Sequence, residues 1–425
     1  MRMRAVLMGT ALVAGMATAS MSAAAQQAAR KGGEDISGPY EVVKNWPAQK
    51  TFDNNLDWNR PSSIFAETPD HIFVIQSGVI PLAWRQFKGD ELRGAQEATF
   101  SLGQPMIRPA YLAVHCGTPL RFGNDPGKWH CEKDANGKTI DSIVHQDTFE
   151  RVEGAKWEHT VLVLNRDGKV IEDWKQWNHL FGHPHHIMIS PYDPEKHVWI
   201  VDAGSQQIYK FTHDGKKLLM TLGTNRQRSP ERTGDKSPKF GDPTGIAFLP
   251  NGDFYVSDGY YNARVVKFDK NGKYLFEFGK FGKGPGELDT VHAIAIANDR
   301  IYIADRANSR VSVFDLNGKF IEHWPDIQFP LFLAASKDGY IWVSDGKNNK
   351  MLKYTLDGHL VDSWGTFGIA PGAQWGTHYF NTDSEGNFYT AEVFSGRIQK
   401  FTPRQDVDQK RLIGPLASPG ILATR

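Results

Sequence analysis

The stretch Pro243–Gly279, PTGIAFLPNGDFYVSDGYYNARVVKFDKNGKYLFEFG, decides the fold. It divides into four apolar runs, 245–249, 254–257, 264–268 and 273–278, with turn chemistry at Pro250-Asn251-Gly252, from Asp258 to Asn262, and at Lys270-Asn271-Gly272. Short alternating runs between Asn-Gly signals predict an antiparallel meander. One four-stranded sheet cannot cover both of its faces, so copies are expected beside it.

Copies flank it on both sides. HAIAIANDRIYIADRANSRVSVFDLNGKFIEHW (292–324) and LFLAASKDGYIWVSDGKNNKMLKYTLDGHLVDSW (331–364) repeat the unit downstream, followed by a further copy at 377–401, and 184–223 repeats it upstream. The aligned Asp202, Asp258, Asp305 and Asp345 lie 56, 47 and 40 residues apart, and Glu392 follows after another 47. Periods of about 40–50 residues with four strands each predict an all-β chain, a β-propeller. A first blade is read as split, with two strands in 61–77 and two in 160–174, which brings the count to six.

Residues 1–25 read as a secretory signal: Arg2 and Arg4 precede an apolar run over 5–17, and Ala23-Ala24-Ala25 offers a cleavage site. That run is too short for a stable membrane span, so the mature protein is expected in the periplasm or secreted, and as a monomer. Residues 26–60 form an N-terminal arm whose GPYEVVKNWP (38–47) resembles the last strand of a blade and either closes the ring or packs alone. The propeller runs over 61–404, interrupted by an insertion at about 78–158, and 405–425 is a C-terminal tail. The insertion holds the chain's two cysteines, Cys116 and Cys131, which in an oxidising compartment read as a disulfide. A net charge of +1 gives no sign of nucleic-acid binding.

Aligning the blades on their first strand places Ser62, His185, Thr244, His292, Leu331 and His378 at one position. Histidine occupies every second blade. In a six-fold ring these three point at the axis 120° apart, a pattern suited to a zinc ion with an open fourth position, although imidazole serves Cu, Fe and Ni as well. Strand alternation sends the neighbouring His186 away from the channel. Tyr260 and Arg306 sit on loops at the same end. A phenol near a metal and a guanidinium has its anionic form favoured, which suits Tyr260 to proton transfer. The recurring Asp202, Asp258, Asp305 and Asp345, with Arg264, Arg310 and Arg397, read as structural ties at bends.

ADRANSRVSVFD and VSDGYYNARVVKFDKNGKY resemble NHL repeats. From Pro61 to Thr402 the chain resembles the peptidyl-α-hydroxyglycine α-amidating lyases, six-bladed propellers. The resemblance implies a zinc held by His185, His292 and His378, a catalytic tyrosine at Tyr260 in SDGY, and an active-site arginine at Arg306 in ADR. It implies cleavage of the C–N bond of an α-hydroxylated amide, giving an amide and glyoxylate or a related carbonyl compound. The family's first-blade arginine, in an HRGD context, faces Ile75-Gln76-Ser77-Gly78 here, with Arg60 and Arg85 nearby. Tyr379 stands where the family carries an aspartate for structural calcium, so calcium is not expected. Gly376 and Tyr261 replace a family methionine and cysteine. Two other readings stay open: a metal-dependent hydrolase on the same scaffold, and a non-enzymatic interaction module.

Overall fold

The computed structural model describes residues 36–47, 52, 56–81, 154–229 and 239–416, and the backbone of 111–114, 132–133, 139–140 and 142–145. The expected signal segment, Cys116, Cys131 and Arg85 lie outside the described residues.

Six four-stranded antiparallel sheets form the blades of a propeller. Their inner strands are Pro61–Thr68, Pro184–Ile189, Pro243–Phe248, Val291–Ala297, Pro330–Ser336 and Thr377–Thr382. Each packs against the inner strand of the next blade, and Thr377–Thr382 packs back against Pro61–Thr68. Blade 1 is assembled from two distant stretches: Val161–Leu164 pairs with His71–Gln76, Val161 facing Ile75. Inside the 78–158 stretch, Val79–Pro81 pairs with Leu56–Trp58, Tyr111–Val114 with Ser142–His145, and Glu132–Lys133 with Thr139–Ile140, all antiparallel.

Blade 6 takes its outer strand from the N-terminal arm. Tyr40–Val42 pairs antiparallel with Arg397–Pro403, Tyr40 opposite Pro403. The strand is fixed by burial, because Tyr40 is 1% exposed and packs against Trp364 and Phe388. Its hydroxyl accepts from the Ile413 backbone N–H at 2.9 Å. Gly38, at φ 59°, lies against the Trp364 ring, where a Cβ would collide. The tail is anchored as well: Lys353 donates to the Lys410 carbonyl at 2.6 Å, and Lys337 N–H to the Pro415 carbonyl at 2.8 Å.

The core lies between blades, where the middle strands are almost wholly buried, as in Phe254–Asp258 and Tyr340–Asp345. The recurring acids tie strand entries to bends. Asp258 accepts from the Gly241 N–H, Asn262 and Arg264, and Arg264 reaches on to Glu277 at 2.7 Å. Asp202, Asp305, Asp345 and Glu392 hold equivalent places, with backbone N–H groups from Gly182, Asp289, Gln328 and Trp375. These carboxylates stay buried because each is surrounded by donors. Among the described residues no helix is long and apolar enough to cross a membrane.

Candidate metal centre

All six inner strands carry the same irregularity one residue in. The register skips at Pro61/Ser63, Pro184/His186, Pro243/Gly245, Val291/Ala293, Pro330/Phe332 and Thr377/Tyr379. The extra residues are therefore Ser62, His185, Thr244, His292, Leu331 and His378. A bulge frees one residue from the ladder and re-aims its side chain. Here it frees six residues at the inner edge of the blades, all at most 1% exposed.

The three histidines meet there. Their ring centroids are 4.6, 4.8 and 4.9 Å apart, and the planes cross at 69–88°. Their ligand atoms all lie within 4.8 Å of one another. Each Nδ1 faces a backbone carbonyl of the following blade: His185 to Thr244 at 2.6 Å, His292 to Leu331 at 2.5 Å and His378 to Ser62 at 2.6 Å. A carbonyl can only accept, so each Nδ1 carries the proton and each Nε2 turns a lone pair inward. Metal-bound imidazoles are held in this manner. The Nε2 atoms of His292 and His378 are 3.2 Å apart, close to the roughly 3.3 Å expected between two nitrogens on one tetrahedral zinc. The donor set therefore fits such an ion.

Two of the intervening blades extend this ring of hydrogen bonds. Ser62 Oγ donates to the Pro184 carbonyl, and Thr244 Oγ1 donates to the Val291 carbonyl at 2.6 Å. Each fixes the residue immediately before a histidine. Leu331, with no donor, breaks the circle between blades 5 and 6.

Burial, then the neighbouring imidazoles of His378, His292 and His183, hold the His185 pKa well below its ordinary value. Burial, with Arg60 and Arg306 as nearby cations, pushes His378 down to about 3. Both effects favour neutral imidazole, the form that binds metal.

Tyr260 closes the centre. Its hydroxyl is 3.0 Å from His185 Nε2 and 2.9 Å from His292 Nε2. Its N–H donates to the Asp242 carbonyl at 3.1 Å. The preceding Gly259 passes so close to the Val291 backbone that no side chain would fit. The Arg306 guanidinium stacks 4.9 Å from the Tyr260 ring centre and 4.5 Å from Phe329. Residues distant in sequence thus surround one small polar chamber.

One expectation fails. His186 does not point away from the channel but forms a second layer across it, stacked on Tyr379 at 4.6 Å and meeting Phe332 at 6.0 Å. The bulge is the reason, since it interrupts alternation and leaves residues 185 and 186 on the same side. Tyr379 escaped the sequence reading as a contributor. Its hydroxyl donates at 2.8 Å to the Thr244 carbonyl that also receives His185 Nδ1–H. Only its place directly after His378 marked it.

Residues 234–362 match the family DUF5128, described as a 6-bladed beta-propeller. Over 286 residues the chain is 29% identical to peptidyl-alpha-hydroxyglycine alpha-amidating lyase 1 of Drosophila melanogaster, covering 60% of this chain and 51% of that protein. It is 30% identical over 224 residues to the peptidylglycine alpha-amidating monooxygenase of Rattus norvegicus, covering 50% of this chain and 22% of that protein. With the NHL repeat-containing protein 3 of Mus musculus it shares 28% identity over 258 residues, 57% of this chain and 72% of that protein. The chain thus spans about half the length of the fly lyase and less of the rat enzyme. It is a six-bladed β-propeller that resembles NHL repeat-containing proteins and the peptidyl-α-hydroxyglycine α-amidating lyases.

Proposed function

We propose that the protein is a metal-dependent carbon–nitrogen lyase acting on an α-hydroxylated amide. The observation that carries this reading is the convergence of three Nε2 lone pairs, with Tyr260 within 3.0 Å of two of them and the Arg306 guanidinium stacked on its ring.

His185, His292 and His378 would hold zinc, which when bound supplies Lewis acidity toward a hydroxyl oxygen. The chain's own groups supply the rest. Arg306, with Arg60 as a second cation acting on His378, holds a carboxylate on the substrate by charge-assisted hydrogen bonds. The Tyr260 oxygen takes the proton of the substrate hydroxyl, and the tyrosine's own proton passes to the amide nitrogen. The C–N bond breaks with its electron pair going to nitrogen, and the former hydroxyl carbon becomes a carbonyl. The products are an amide and, from an α-hydroxyglycine, glyoxylate. The His186–Tyr379–Phe332 layer bars the channel below the chamber, so substrate enters from the loop side.

The test is glyoxylate release from an N-acyl-α-hydroxyglycine by the mature protein, with and without chelator. Chelator-sensitive release supports the lyase. Hydrolysis of an ester or lactone in its place supports the hydrolase, and bound metal without turnover of either supports an interaction module.

A further inference from the structure

A second histidine cluster lies at the other end of blade 1. The inner strand that begins near the pore with Ser62 ends at Glu67, about 16 Å further along at strand rise. His71 follows across the hairpin turn, and His213 comes from the turn between Gln207–Phe211 and Leu218–Gly223 of blade 2. His213 Nε2 and His71 Nδ1 lie 2.8 and 3.0 Å from the same oxygen, Glu67 Oε2. The two imidazoles are stacked at 5.2 Å, and Phe73 meets both rings edge-on.

The protonation pattern is informative. His71 Nε2 faces Glu172 Oε1 at 3.4 Å. A carboxylate only accepts there, so Nε2 carries a proton and Nδ1 is left to Glu67. That Nδ1 is buried and makes no hydrogen bond of acceptable geometry, although it lies against the Glu67 carboxylate. A cation seated between Nδ1 and Oε2 would take both atoms as ligands. Lys196, whose ammonium binds Glu67 Oε1 at 2.8 Å, leaves Oε2 to the histidines and is itself 59% exposed.

We propose that Glu67, His71 and His213 bind a divalent ion of the zinc type, distinct from any ion in the pore. One carboxylate and two imidazoles are a donor set zinc accepts, with water completing the four. Glu172 orients His71 from outside the set, as carboxylates behind metal-bound histidines do. Bound there, the ion joins the turns of blades 1 and 2.

The probe is zinc itself, titrated into chelator-stripped protein against a chromophoric competitor. His213→Ala is expected to remove one equivalent of bound zinc, and Glu172→Gln to weaken that same equivalent 10–100-fold. His292→Ala acts on a different equivalent, so the pore site and this one are scored separately. If His213→Ala does not fold, as judged by circular dichroism, Glu67→Gln takes its place. Stoichiometry and affinity unchanged by these substitutions would overturn the proposal.

Discussion

His292→Ala is the perturbation that most directly tests the pore. Without metal, the change removes the donor to the Leu331 carbonyl at 2.5 Å. That orphans a buried acceptor at a cost of about 1–3 kcal/mol. It also removes an Nε2 that crowds the one on His378 at 3.2 Å, which offsets part of the loss. With zinc the difference is larger. An ion present at about 1,000 times its Kd stabilises the native state by about 4.1 kcal/mol. Unfolding entropy of about 2.1 cal/mol/K per residue, over roughly 340 propeller residues, gives about 0.7 kcal/mol/K. The expected rise in Tm for the wild type is therefore roughly 6 °C. Losing a ligand costs at least the roughly 100-fold at the upper end for a lost outer partner, which cuts the rise to about 2 °C or less. Thermal melts of both proteins with and without zinc, alongside metal analysis, supply the readout. The outer cluster is common to both proteins and cancels in the difference. Equal zinc-induced shifts would refute a site built on His292.

Tyr260→Phe is expected to keep pore metal while slowing turnover by about 10²–10⁴-fold, measured as kcat on a hydroxylated amide. Arg264→Met leaves Asp258 buried without its cation, with both side chains at most 1% exposed; denaturant melts should show a loss of about 3–5 kcal/mol. Tyr40→Phe orphans the Ile413 N–H and should cost about 1–3 kcal/mol in the same assay. The Asp193 pKa is lowered: burial would raise it, but His197, the Glu195 N–H and Lys210 outweigh that. A depressed carboxylate stabilises above its unfolded pKa and loses that contribution as pH falls through the folded value. The stability gap between wild type and Asp193→Asn should thus be full at neutral pH and close below about pH 3.8, followed by melts across the acid range.

The fold was legible because the repeat writes itself in turn residues. Asn251-Gly252 and Asn271-Gly272 mark hairpins that the chain forms, and the 40–56-residue spacing of Asp202 to Glu392 counts blades. The three pore histidines were legible for a related reason, since one residue type recurred at one repeat position in every second blade. What stayed hidden depends on backbone detail or on distance in sequence. A bulge leaves no mark in residue type, so alternation misplaced His186. The carbonyl partners of Nδ1 belong to the following blade, and no side chain announces them. Glu67, His71 and His213 meet only because two hairpin turns from adjacent blades lie side by side.

The repeated bulge has a wider consequence. The pore reads as a six-letter word, Ser-His-Thr-His-Leu-His, one letter per blade, spelled by residues that take no part in ladder pairing. Changing a letter rewrites the chemistry on the axis while sparing the ladder hydrogen bonds within each sheet. A scaffold of this kind separates what it binds from how it stands, so its chemistry can diverge while its architecture is conserved.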